Sequence, residues 1–120
     1  MFSIRVERFH DLDVVECKGR LTLSDAMLKL RDSMQMEDDA RVIAIDLSEV
    51  EAIGGGGLGM LVYLERWAHE NQIQLKLFCP SERVMEALAP YRSMAKFEIA
   101  NIQEMIGLLA EYDYPQSLAA

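Results

Sequence analysis

Asp46-Leu47-Ser48-Glu49-Val50-Glu51-Ala52-Ile53 leads into Gly54-Gly55-Gly56-Gly57-Leu58-Gly59, and five of the chain's seven glycines lie in those last six positions. Just upstream, Val42-Ile43-Ala44-Ile45 shows no alternation of apolar and polar residues before Asp46-Leu47, as expected of a strand buried on both faces of a parallel sheet. Ser48 to Ile53 reads as a connecting stretch ahead of the glycine turn, and the apolar spacing beyond it predicts a helix from about Gly57 to Asn71. Ile73, Leu75 and Leu77 then alternate with Gln74 and Lys76 up to Phe78, a second strand. Strand, helix, strand in this order is a βαβ crossover, which fixes a parallel pair.

Working outward, Phe2, Ile4 and Val6 alternate with Ser3, Arg5 and Glu7, and a second run spans Leu12 to Cys17 after His10-Asp11, so two half-buried strands in a hairpin are expected. After Gly19, Ser24 can cap a helix whose Met27, Leu30 and Met34 form one apolar stripe, broken by the stretch Glu37 to Ala40. Ser81 can cap a short helix carrying Val84, Met85 and Leu88 that Pro90 ends. Lys96 to Ile99 makes a brief strand, and Asn101 with Glu104 matches a capping box. The last helix is expected to bury Ile102, Met105, Ile106 and Leu109. The sum is an α/β sandwich: a mixed, mainly parallel sheet of about five strands with about four helices packed on it. No linker or repeat divides the chain, so residues 1–113 read as a single domain and 114–120 as a frayed tail.

Gly54, Gly56 and Gly59 satisfy G-x-G-x-x-G, a phosphate-binding pattern that works through backbone amides at a helix N-terminus. Its context argues against a dinucleotide site: six residues separate Leu47 from Gly54, the next strand ends in Phe78-Cys79-Pro80 where a ribose-binding acid belongs, and the chain is short for a second nucleotide half. Met60-Leu61 after Gly59 supplies neither the lysine nor the hydroxyl of a P-loop. The glycines either accept unusual φ/ψ values at a tight helix entry, or leave the turn bare so that a partner's backbone or an anion can approach its amides.

The segment Asp46 to Ile53, Gly54 to Gly57, then Leu58-Gly59-Met60-Leu61-Val62, resembles the STAS family of anti-sigma factor antagonists and sulphate-transporter domains, whose line commonly reads DLS-x-V-x-x-I-DSSGLG-x-L. The opening hairpin, the Gly19-Arg20-Leu21 step, Phe78-Cys79-Pro80-Ser81 and the closing helix follow the family's order, so the resemblance covers nearly the whole chain. It implies a STAS-like fold and, residue by residue, sets the family's aspartate on Gly54, its phosphorylatable serine on Gly55, the next hydroxyl residue on Gly56 and the motif glycine on Gly57. Glycine has no oxygen to accept phosphate, so a switch at Gly55 is chemically impossible. Ser48, the nearest hydroxyl on the N-terminal side, is expected to hydrogen-bond locally. The resemblance also places partner contact on this turn and the start of the following helix: Gly54, Gly55, Gly56, Gly57, Leu58, Val62 and Glu65. Wound at about 100° per residue, Met60, Leu61, Leu64, Trp67 and Ala68 face the sheet, while Leu58 and Val62 fall beside Glu65 and His69 on the polar side as an exposed apolar pair. On that reading Leu58→Asp abolishes partner capture and leaves the melt unchanged.

Composition narrows the function classes. Twelve Lys+Arg against twenty Asp+Glu give a net charge of -8, which repels nucleic acid and anionic membranes, and no apolar run reaches the ~20 residues of a membrane span. The N-terminus lacks a signal-peptide core, so a cytoplasmic protein is expected. Cys17 and Cys79 read as buried free thiols, His10 and His69 as surface residues, and Asp38-Asp39 as solvated. No triad or metal spacing is present, so no enzyme activity, metal or cofactor is expected. The first reading is therefore a protein-binding regulatory module that docks an anti-sigma factor, a serine kinase or a related regulator. A small STAS subunit that stabilises the ATPase of a lipid-transporting ABC system is the alternative, followed by a nucleotide- or lipid-binding domain. Dimerisation is left open.

Overall fold

The ten-residue strand β2 (Leu12–Leu21) and the twelve-residue strand β3 (Val42–Ile53) run parallel along the middle of the molecule, and the other elements are arranged around them. A computed structural model describes residues 2–22, 24–36, 40–92 and 96–112. β1 (Ser3–Phe9) forms an antiparallel hairpin with β2 through His10 and Asp11, β4 (Gln74–Phe78) lies parallel to β3, and β5 (Glu98–Ala100) parallel to β4. The sheet order is β1-β2-β3-β4-β5, mixed and mainly parallel as expected.

Two apolar layers sandwich this sheet. On one face α1 (Asp25–Met36) contributes Met27, Leu30 and Met34, α2 (Gly55–Glu70) contributes Met60, Leu61, Leu64 and Ala68, and α3 (Glu82–Leu88) contributes Val84 and Leu88. They meet Val15, Cys17, Ile43, Ile45, Leu75 and Leu77 from the strands. On the other face α4 (Ile102–Glu111) sets Leu108, with Met105 and Leu109, against Leu12, Val42, Ala44, Phe78 and Ala100. The unalternating run 42–45 thus feeds both layers in turn, which is why it shows no polar positions.

The expected caps are in place. The Ser24 hydroxyl accepts the Met27 N–H at 3.4 Å, the Ser81 hydroxyl accepts the Val84 N–H at 3.3 Å, and Asn101 with Glu104 closes a reciprocal box at 2.9 and 3.2 Å. Pro90 lies in a short 3-10 turn, Ala89–Tyr91, directly after α3.

Four expectations are corrected. Ser48 to Ile53 is not a connector: β3 continues to Ile53, with Glu49, Val50, Ala52 and Ile53 paired to Lys18, Gly19, Arg20 and Leu21. Its pairing with β4 stops at Asp46, so among the described residues this half of the strand pairs only with β2, and its polar residues can face solvent. Register shifts bend it, and at the first of them the Asp46 carboxylate accepts the Ser48 N–H at 2.9 Å. The gap that argued against a dinucleotide turn is therefore absent, while Phe78-Cys79-Pro80 still closes β4 without an acid. Secondly, α2 begins at Gly55, two residues earlier than expected. Thirdly, Ile102 and Ile106 are not buried but 59% exposed each, because α4 rolls so that Met105, Leu108 and Leu109 meet the sheet. Fourthly, Cys79 is only half-buried where the chain turns away from β4 at φ +54, whereas Cys17 is buried as expected. The Glu37-Asp38-Asp39 run and the tail 114–120 lie outside the described residues.

Candidate functional site

The glycine turn sits where β2 and β3 end side by side, Leu21 opposite Ile53. Gly54 is the N-cap of α2 in an extended conformation, φ −98 and ψ 175, its N–H donating to the Leu21 carbonyl at 2.9 Å and its carbonyl accepting the Leu58 N–H at 2.9 Å. Having no side chain, it makes no side-chain cap. Because Gly54 tethers the start of α2 to the end of β2, the next turn of helix is pressed onto that strand. At Gly57 a Cβ would lie 2.3 Å from the Leu21 carbonyl oxygen and 2.8 Å from its carbon, so only glycine fits. A Cβ on Gly54 would make ordinary contact with Thr22 at 3.6 Å. One on Gly55 or Gly59 would meet nothing within 4 Å.

None of these glycines has a positive φ; among the described glycines Gly19 alone does, at 101°. Unusual backbone angles therefore do not explain the run, contrary to the first of the two expectations for it. Close approach accounts for Gly57. No steric demand accounts for Gly55, which is exposed together with Gly56.

The expected contact residues do not all reach the surface. Gly55 and Gly56 are exposed, Gly54, Val62 and Glu65 half-buried, and Gly57 and Leu58 buried. Leu58 is the clear correction: it is 8% exposed and belongs to the core shared by α1, α2 and α3. α2 is packed by α1 as well as by the sheet, so burial extends beyond the single sheet-facing arc that a helical wheel assigns. Val62 packs partly against the same core, and Trp67, expected inside, is half-buried. Leu58→Asp would place a charge in that core and lower the melt, contrary to the sequence-based expectation. Tyr63, which the wheel did not single out, is 45% exposed on the solvent side of α2 near Arg66 and Glu70; its position two residues beyond the apolar Leu61 is the signal that could have found it. Beside the turn, Phe2, Arg20, Thr22, Ala52, Ile53 and Gly54 line an open hollow.

Reactive groups near the site are quiet. Burial, and then the nearby Asp46 carboxylate, push the Cys17 thiol up to about 12, and the same two causes raise Cys79, so neither is a thiolate near neutral pH. His10 sits exposed in the hairpin turn with its ring 4.3 Å from that of Phe9, and His69 is exposed late in α2. Among the described residues no three His, Cys, Asp or Glu side chains are grouped as metal ligands. No helix among them is long and apolar enough to cross a membrane.

The sequence profile of the STAS domain matches residues 4–109, which includes every strand but the first residue of β1, all of α1 to α3 and most of α4. The chain belongs to the STAS family. Solved STAS-like structures superpose on it over nearly their full lengths. The anti-sigma factor antagonist SpoIIAA in its unphosphorylated form matches with a TM-score of 0.73 at 15% identity, covering 91% of this chain and 97% of that one. RsbS from Moorella thermoacetica matches at 0.71 and 17%, covering 92% and 97%. An anti-sigma factor antagonist from Mycobacterium paratuberculosis matches at 0.69 and 16%, covering 92% and 95%. At these identities the likeness establishes the fold, a five-stranded mixed sheet with four helices in the SpoIIAA manner. No curated protein sequence matches the chain.

Proposed function

We propose that this STAS domain is a non-catalytic regulatory module of the cytoplasm that captures a protein partner, an anti-sigma factor or related serine kinase, on the turn Gly54–Gly57 and the exposed residues that follow it in α2. One observation carries the reading: Gly55 lies exposed at the start of α2 with open space around its Cβ position, although nothing in the packing requires glycine there. A side chain would fit, so the bareness of the turn serves what approaches from outside. Exposed Gly56, with Val62 and Glu65 half-exposed farther along the helix, extends the contact. Buried Leu58 holds the turn in place from beneath.

With no hydroxyl at Gly55 or its neighbours, the partner is not released by phosphorylation at the position where the family resemblance sets the phosphoserine, and the module stays competent to bind. The likeness to anti-sigma factor antagonists such as SpoIIAA supports a protein partner.

The test compares the native chain with Gly55→Glu as bait in a lysate of the source organism, with the captured proteins identified by mass spectrometry. The native chain is expected to retain an anti-sigma factor or ATP-binding serine kinase, and Gly55→Glu, whose melt is unchanged, is expected to lose it. Recovery of an ABC-type ATPase instead would transfer the protein to the transporter-subunit reading. Equal capture by the variant would remove the turn from the contact.

A further inference from the structure

β1 is an edge strand: it has β2 on one side and no described strand on the other. An edge of seven residues exposes a row of backbone donors and acceptors, which proteins usually cover, shorten or protect. On its helix-layer side Phe2, Ile4 and Val6 pack against the main core yet stay half-buried, and α1 is the helix that reaches them. On the opposite side Arg5 pairs with Glu7 of the same strand and, at 3.7 Å, with Glu16 of β2.

The order of charges along Ser3-Ile4-Arg5-Val6-Glu7-Arg8-Phe9 is what identifies an occupant. A two-fold axis perpendicular to the sheet would keep the α1–α3 layers of the two copies on the same face, so each residue must oppose one of the same parity. Centred on Arg5, Glu7 or Arg8, that symmetry sets a charge against its own duplicate. Centred on Ile4, it leaves Glu7 to Phe9 overhanging. Centred on Val6, it pairs Val6 with itself, sets Arg5 opposite Glu7 of the second copy and Glu7 opposite Arg5 of the second copy, and lays the Arg8 stem over Ile4. In that register no like charges meet and the whole strand is used.

We propose that β1 is the surface on which two copies of this chain associate, antiparallel and centred on Val6, joining their sheets into one. The backbone ladder supplies attraction, the Val6 and Ile4 contacts extend the half-covered apolar edge, and the two Arg5–Glu7 crossings select the register. Arg5 and Glu7 exchange a neighbour on their own strand for one directly across the ladder, where opposite charges lie closest. The interface is at the small end of specific contacts, so a reversible dimer is expected.

Sedimentation equilibrium at low salt and up to ~0.5 mM protein, the range a small interface calls for, tests this. The native chain should rise from 13.6 kDa toward twice that mass as concentration increases. Arg5→Glu alone, or Glu7→Arg alone, puts like charges opposite each other at both crossings and should weaken association about tenfold or more; Glu7, opposite Val14 in β2, is the variant position expected to leave the melt near native, while Arg5→Glu also faces Glu16 and lowers it slightly. An equimolar mixture of the two variants faces opposite signs again at both crossings and should recover the heavier species. A native chain that stays at 13.6 kDa throughout overturns the proposal. So does a single variant that associates like the native chain, or a mixture no heavier than its parts.

Discussion

α2 starts on Gly54, whose missing side chain caps nothing, whereas α4 starts on Asn101 with both halves of a capping box closed. The contrast continues along each helix. α2 presses Gly57 against a strand carbonyl, sinks Leu58 into the core and is flanked by α1, while α4 is the one helix among the described residues on the other face, with Ile102 and Ile106 in solvent and open space at Gly107. One helix is thus fixed by what surrounds it, the other largely by its own local chemistry. The helix fixed by its surroundings is the one that carries the bare turn, so the turn's position is set by the core rather than by the residues that line it.

The comparison can be broken most sharply at Leu58. Leu58→Asp should cost about 3–5 kcal/mol and bring the domain close to unfolding, read by urea melts; a loss under about 1 kcal/mol would mean that Leu58 is not held in the core. Gly57→Ala comes next, expected to cost about 2–3 kcal/mol because the Leu21 carbonyl must move, and Gly55→Ala in the same series should leave stability within about 0.5 kcal/mol. In α4 the sensitive point is its local cap: Asn101→Ala should cost about 1 kcal/mol by thermal melt, and a value near zero would place α4 under tertiary control like α2. Gly107→Ala should stabilise by about 0.5–1 kcal/mol, since the site is open and alanine is the better helix former. Smallest of all, Ile106→Ser should shift stability by no more than about 0.5 kcal/mol, against the large loss at Leu58.

What the sequence made legible follows the same division. Devices that act within a few residues were readable: the caps at Ser24, Ser81 and Asn101, the hairpin, the unalternating strand at 42–45, and the stop at Pro90. Outcomes decided between elements were not. A helical wheel gives the direction of a stripe but not its width, so Leu58 was set outside and Ile102 and Ile106 inside. The polar residues Ser48, Glu49 and Glu51 read as a loop because nothing local reports that the strand pairs on one side only beyond Asp46. At the turn, the composition drew attention to the right residues, but only the distance from a built Cβ to Leu21 separates the glycine that must be there from the one that need not.

The overhanging half of β3 has its own consequence for solubility. From Ser48 to Ile53 that strand extends past the end of β4, which in most proteins would offer a growing fibril a further place to add strands beside the sheet edges at β1 and β5. Here Glu49 and Glu51 stand exposed along it, and stacking copies at the ~4.8 Å spacing of a fibril would pile like charges into two continuous columns. The acids act as gatekeepers, and the ribbon that carries the glycine turn can project into solvent without seeding aggregation.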